Sequence, residues 1–309
     1  IERKGSALIQ DRIGANRAGA YFEPEFLPLK ILFAIPGVRF VLRWLGYLGL
    51  INTLLCDAVK ALFKEDFIPD GTSNFMHSMG PFMAAFPVFL AFAVVPIAPN
   101  FYLGEYYITT QVASINAGVL FILAMGSITV YGVAIAGWTG NNKFSLLGGL
   151  RAAAQMISYE LAMGISLVTM IAIYGTLDLY QIVEAQKGLW GIVMQPVAFV
   201  ILFVAGMAET HRGPFDLPEA ESELAAGYFT EYSGMKFLLF WMGEFAEIAL
   251  FSLIFVLFFL GGWHLPGVDL PPNIIGAIAG HLILMAKVCA ICILQITIRW
   301  SLPRFRYDQ

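Results

Sequence analysis

Charge is scarce in this chain of 309 residues: Asp, Glu, Lys and Arg make up 13% of it and hydrophobic residues 59%, with a mean hydropathy of +0.74. A water-soluble domain is thereby excluded, because its surface needs more polar residues than this chain holds. Cysteine is scarcer still. Cys56, Cys289 and Cys292 are three thiols, where an iron–sulfur cluster normally takes four from loops that wrap it. Cys289 and Cys292 form a C-x-x-C, but inside an apolar run, where they read as small packing residues. Neither a G-x-G-x-x-G behind a strand nor a G-x-x-x-x-G-K-[ST] occurs, so nothing here cradles a dinucleotide or a triphosphate. A nucleotide, if one is involved, belongs to a partner.

What the chain has in abundance is apolar length. Six stretches suffice to cross about 30 Å of hydrocarbon as helices, near 79–98, 114–138, 156–175, 192–208, 238–262 and 274–298. Aromatics at 14% and 30 glycines suit that solvent, since aromatics collect at bilayer interfaces and glycine lets spanning helices approach closely. The basic residues are distributed by side. Residues 1–78 carry nine, 139–155 carry Lys143 and Arg151, 209–237 carry Arg212 and Lys236, and 299–309 carry three. The alternate loops hold only Lys187, and Lys287 sits within the last span. The asymmetry puts the first set in the cytoplasm and independently supports six spans.

Within the N-terminal section, residues 53–66 place Leu54, Leu55, Val59, Leu62 and Phe63 on one helical face and Asp57, Lys60 and Lys64 on the other. This fits a helix lying in the membrane interface or an ordinary amphipathic packing helix. Residues 26–50, with Pro36-Gly37 in the middle, read as a broken interfacial hairpin. The expected fold is an all-α polytopic transmembrane helix bundle, with one more span at each end of the full protein. Residues 1–309 read as a single integral membrane domain: a cytoplasmic-side segment over 1–78, spans across 79–298, and an acidic cytoplasmic-side loop at 209–237.

That loop carries Glu209, Asp216, Glu219, Glu221, Glu223 and Glu231. Asp216 is expected to cap a helix with Pro218 in its first turn and Glu219 at the capping-box position. Capping leaves Glu221, Glu223 and Glu231 unexplained. Clustered like charges near a membrane do not all ionise cheaply, so some of their pKa values rise and respond to nearby changes of charge. Carboxylates then continue into the membrane: Glu244 and Glu247 lie three apart on the following span, and Glu160 lies near the start of another. Ionisable groups at that depth are expensive and by default functional.

The segment His211-Arg212-Gly213-Pro214-Phe215-Asp216-Leu217-Pro218-Glu219-Ala220-Glu221-Ser222-Glu223-Leu224, with Thr230-Glu231-Tyr232-Ser233-Gly234-Met235-Lys236-Phe237, closely resembles the hallmark loop of the quinone-site membrane subunit of respiratory complex I. Glu2-Arg3-Lys4, Arg12 with Asn16-Arg17, Asp57 with Lys60, Gly140-Asn141-Asn142-Lys143, Arg151 with Ser158-Tyr159-Glu160, Gly261-Gly262-Trp263 and Arg299-Trp300 with Pro303-Arg304 resemble further landmarks of that family, in its order and over nearly the whole chain. Two departures stand out. Ala15 occupies a position where the family usually has proline, and the stretch 19–57 is longer than the family's connection, so 20–50 reads as an insertion.

The resemblance implies a subunit of the proton-translocating NADH:quinone oxidoreductase in the cell inner membrane, with no redox centre and no metal, iron–sulfur cluster, flavin or NAD of its own. It implies that Arg3, Asp57, Lys60 and Phe215 line a chamber for a quinone substrate, ubiquinone or menaquinone. Glu160, Glu209, Asp216, Glu219, Glu221, Glu223, Glu231, Glu244 and Glu247 would couple quinone chemistry to proton pumping. The implied partners are peripheral-arm subunits bearing the terminal iron–sulfur cluster and the quinone-head ligands, adjacent small membrane-arm subunits, and lipid, but no nucleic acid. A membrane anchor of an energy-converting hydrogenase and a stand-alone ion antiporter are the alternatives. The antiporter is disfavoured by the lack of broken spans in matching positions of two halves. If the loop acids serve coupling, replacing Glu219, Glu221 and Glu223 together by Gln reduces quinone-linked proton pumping in vesicles and spares NADH oxidation by an artificial acceptor. Unchanged pumping in that variant overturns the assignment.

Overall fold

A helix satisfies its own backbone N–H and C=O groups, so apolar runs in lipid become helices. The computed structural model describes residues 57–218, 221–267 and 271–305, with the backbone alone for Asp57, Ala58, Glu221 and Ser222. Arg3, Glu219 and the segments 20–50 and 26–50 lie outside the described residues. In chain order the elements are α1 (Asp57–Phe63), α2 (Asn74–Ala91, with a 3-10 turn Phe92–Val94), β1 (Phe101–Leu103), β2 (Tyr106–Ile108), α3 (Gly118–Thr139), α4 (Lys143–Tyr174), α5 (Leu179–Ala185), α6 (Gly191–Met194), α7 (Pro196–Glu209), α8 (Glu221–Leu224), a 3-10 turn Gly227–Phe229, α9 (Gly234–Phe259) and α10 (Ile274–Ser301). Among the described residues, five helices, α2 with its 3-10 turn, α3, α4, α9 and α10, are long and apolar enough to cross a membrane. The chain is a multi-pass helical membrane protein.

Two of the expected spans take a different form in the structure. The run 156–175 belongs to the 32-residue α4, which starts at Lys143 because the Asn142 side chain accepts the Phe144 N–H as an N-cap and which stops at Gly175 in a left-handed conformation (φ 68°). The run 192–208 is interrupted at Gln195, whose φ of −138° and ψ of 73° break the helix just before Pro196. The helix that follows, α7, has 14 residues, a rise of about 21 Å, short of the bilayer core.

Residues 177–195, which precede α7, pack into the core. Leu179, Ile182 and Val183 of α5 are buried, and the buried amide of Gln186 closes four backbone contacts. Its Nε2 donates to the carbonyls of Ile182 and Leu257, and its Oε1 accepts from the N–H groups of Gly191 and Gly261. Lys287 of α10 performs a similar service just past the end of α9. Its Nζ donates to the carbonyls of Leu260, Gly262 and His264 at 2.7–2.8 Å and lies 4.6 Å from the centre of the Trp190 ring. Non-helical backbone is tolerated at such places because protein groups replace water as its partners.

The core between these elements is aromatic. Phe199 and Phe203 of α7 meet Phe251, Phe255 and Phe259 of α9 in a continuous set of ring contacts. Elsewhere, helices approach so closely that only glycine fits. A Cβ placed on Gly132 of α3 would stand 2.4 Å from the backbone nitrogen of Ala84 on α2.

Not every element is helical. Residues 101–108 form a two-stranded antiparallel hairpin in the register Phe101↔Ile108, Tyr102↔Tyr107 and Leu103↔Tyr106, turning at Gly104 with φ 66°. The chain divides into two compact units, the larger being residues 68–232 with 239–309. In the described part of the smaller unit, Ser233 Oγ donates to the Glu65 carbonyl and accepts from the Phe67 N–H. The Lys236 ammonium pairs there with Asp66 at 2.9 Å. In α1, Val59, Leu62 and Phe63 are exposed.

Substituting Gly132 by Val forces α2 and α3 apart, at about 1–3 kcal/mol for overpacking, and is expected to lower the thermal midpoint of the purified protein. Gly126, on the same helix with nothing within 4 Å of its Cβ position, is the matched control. Equal loss in Gly126→Val would show that close packing at Gly132 is not the cause.

Candidate functional site

Three of the expected carboxylates converge from three helices. Glu160 of α4, Glu209 at the end of α7 and Glu247 in the middle of α9 line one cavity of about 60 Å³, room for several water molecules at about 10–15 Å³ each. Its remaining walls are mostly apolar, among them Val88, Ile122, Leu167, Leu250 and Phe251, with Thr129 and Thr210 as the uncharged polar contributors. Ser127 of α3 donates its hydroxyl to Glu160 Oε1. Glu209 has a buried oxygen, Oε2, with no hydrogen-bond partner. Glu209 lies within electrostatic reach of Glu160, and Glu247 within reach of both Glu209 and Arg212.

Arg212 extends the set. Its guanidinium stands 3.7 Å from Glu244 Oε2 and 4.8 Å from the centre of the Phe245 ring, and the Tyr228 hydroxyl donates to Glu244 Oε1 at 3.3 Å. Glu244 and Glu247 are one turn apart on α9, so the arginine at the root of the loop is within electrostatic reach of both. A cation held among carboxylates responds to any change in their protonation.

The other expected acids are dispersed. Glu223 pairs with Arg151 of α4 at 2.8 Å with both side chains partly exposed, and Glu231 accepts from the Asn142 side chain at 2.8 Å. Asp216 is partly buried. It does not cap a helix, contrary to the sequence expectation. Leu217 and Pro218, which such a cap would place in the first turn, are non-helical, because Pro218 disfavours the helical conformation in the residue before it. Phe215, expected at the quinone chamber, packs its ring against Tyr159 and Phe305 at centroid distances of 5.8 and 5.4 Å. Lys60 is exposed, and the side chains of Asp57 and Glu221 are outside the described atoms.

Two participants carry no signal in the sequence. Ser127 and Tyr228 have no spacing that points to a carboxylate. Arg212 stands there within the loop motif without a role of its own, and so does His211. It is buried, with a φ of 49°, and neither ring nitrogen has a hydrogen-bond partner. Burial, with the adjacent Arg212 charge as a lesser cause, pushes its pKa down to about 4. At the far end of the loop, burial pushes the Tyr232 phenol up to about 12 while its hydroxyl meets Thr139 at 3.0 Å and its ring stacks on His77 at 4.2 Å. Tyr232 thus fastens the far end of the acid loop.

Fold and site together define a polytopic helical membrane protein with a cluster of carboxylates on a cavity between its helices. The family model described as NADH dehydrogenase matches residues 1–309. Among relatives, the first NADH-quinone oxidoreductase H subunit of Geobacter metallireducens is 44% identical over 308 residues, covering 100% of this chain and 82% of the relative. The second such H subunit of Geobacter sulfurreducens is 44% identical over 309 residues with the same coverage, and that of Flavobacterium psychrophilum is 39% identical, covering 100% of this chain and 83% of the relative. The chain belongs to the NADH dehydrogenase family that contains these H subunits.

The depressed His211 pKa carries a stability consequence. The unfolded chain binds a proton at His211 near pH 6.5 and the folded chain only near 4, so the folded state loses stability as pH falls from 6.5 towards 4. His211→Gln is expected to flatten that part of the profile of thermal midpoint against pH. An unaltered slope in the variant would assign the acid sensitivity to other groups.

Proposed function

We propose that this chain is the membrane subunit of a proton-translocating NADH:quinone oxidoreductase that forms part of the quinone chamber and couples quinone reduction to proton movement. The observation that carries the reading is the meeting of Glu160, Glu209 and Glu247, from three different helices, on one largely apolar cavity. Carboxylates this close exchange protons as a set rather than singly, and their cost at membrane depth favours a functional role.

In this reading the electrons come from an iron–sulfur cluster on a peripheral-arm partner. Two electrons and two protons convert the quinone to the quinol. Between electron arrival and protonation the quinone head carries negative charge, and that charge is what the protein's own groups sense. Phe215, with Arg3, Asp57 and Lys60, belongs to the chamber, and the loop acids Asp216, Glu219, Glu221, Glu223 and Glu231 lie on the approach to it. Arg212 relays the charge change to Glu244 and Glu247, and Glu209 passes it to Glu160. The acidic loop and the N-terminal segment face the cytoplasm, in keeping with the basic residues on that side, and the membrane is the cell inner membrane. Adjacent small membrane-arm subunits take over protons from the cavity.

The test is a Glu209→Gln, Glu247→Gln double variant of the assembled complex in sealed vesicles. Protons moved per electron delivered to quinone should fall severalfold, while NADH oxidation by an artificial acceptor, which bypasses the membrane, stays at the wild-type level. A wild-type proton-to-electron ratio in the double variant would sink the reading.

A further inference from the structure

One buried side chain clasps the acid loop at both limbs. Gln155 of α4 is 7% exposed, and its Nε2 donates to the carbonyl of Ala208 at 2.7 Å and to that of Phe215 at 2.8 Å. An amide nitrogen has two hydrogens, and both are used. Because both partners are carbonyl oxygens, the orientation of the amide is fixed by chemistry. Ala208 immediately precedes Glu209, whose carboxylate lines the cavity. Phe215 is the chamber residue on the other limb, and between the two limbs lies Arg212.

The neighbouring contacts tighten the connection. Tyr159 lies four residues after Gln155, on the same face of α4, and its ring meets the Phe215 ring. The Phe215 N–H donates to the Arg212 carbonyl, and the His211 N–H to the Ala208 carbonyl. From Phe215 to Glu209 the loop is therefore a short closed circuit whose return path is the Gln155 amide. In a buried setting a donor left without its acceptor bears the full cost of its lost hydration, so the carbonyls and the amide move together.

We propose that Gln155 is a positioning residue that couples the two ends of this circuit: a displacement of Phe215 by quinone is passed through the Gln155 amide to the Ala208 carbonyl and so to the placement of Glu209 in the cavity. The inference rests on the functional reading given above. Gln155 touches neither quinone nor a transferred proton. Its effect is on the ratio of protons moved to electrons passed, a quantity that a loss of assembled complex leaves unchanged.

The experiment uses the assembled complex in sealed vesicles, with NADH oxidation by an artificial acceptor to normalise its amount. Gln155→Met keeps the length of the side chain and removes the donor, and the proton-to-electron ratio is expected to fall about twofold or more, as for other residues that transmit coupling. Gln155→Asn keeps the amide on a stem one methylene shorter and is expected to retain an intermediate ratio. A wild-type ratio in Gln155→Met overturns the proposal. So does an Asn variant no better than Met, which would assign the effect to packing. Glu209→Gln, measured alongside, separates the two levels of the argument: if it lowers the ratio and Gln155→Met does not, the inference fails alone; if neither does, the functional reading fails with it. Should the Met variant not assemble, hydrogen exchange on the wild-type complex decides. Adding a short-tailed ubiquinone analogue should change protection at residues 208–211 together with 214–217, and a change confined to 214–217 overturns the proposal.

Discussion

Inside a bilayer, a polar group that the protein does not satisfy has no water to turn to, and each such group costs several kcal/mol. That constraint explains why several polar side chains of the spanning region are turned inward onto partners. Gln186 and Lys287 close the backbone where α7 and α9 stop short. Ser127 satisfies an oxygen of Glu160. Glu209, whose Oε2 has no hydrogen-bond partner, lines the same cavity as Glu160 and Glu247. Scarcity of charge in the sequence becomes, in the fold, concentration of charge.

The same constraint separates two populations of acids that look alike in the chain. Glu223 and Glu231 find partners at the polar end of α4, where Arg151 and Asn142 offer them. Glu209 and Glu247 instead face the cavity, Glu209 with an oxygen that has no hydrogen-bond partner. Arg212 lies close to both the Glu244 carboxylate and the aromatic face of Phe245. A single arginine in that place makes the loop and the cavity one electrostatic system.

Much of this is legible in the sequence because spans are read from composition, which lipid selects directly. The existence and order of the long helices, and the acidic connection before α9, follow from apolar runs and from the placement of basic residues. The cavity is not legible. Whether Glu160, Glu209 and Glu247 meet depends on how α4, α7 and α9 are rotated about their axes, and spacing along one chain carries no such information. The Asp216 cap fails for a local reason, since Pro218 holds the residue before it out of the helix. The hairpin at 101–108 is hidden although Gly104-Glu105 between tyrosines and leucine is a turn signal, because the surrounding apolar runs dominate the reading. Gln155 is unremarkable in sequence because a glutamine beside Met156 and Ile157 suggests a packed helix face. Its two acceptors lie more than fifty residues away.

Lys287 shows how little room such a solution leaves for chemical substitution. Its three donors converge on the carbonyls of Leu260, Gly262 and His264 while the stem comes from the fourth direction, an arrangement with the tetrahedral geometry of an ammonium. A guanidinium is flat, and its donors spread in a fork in one plane. Arginine would carry the same charge to this position and still leave carbonyls unmet, so what the site recognises in its own lysine is shape as much as sign.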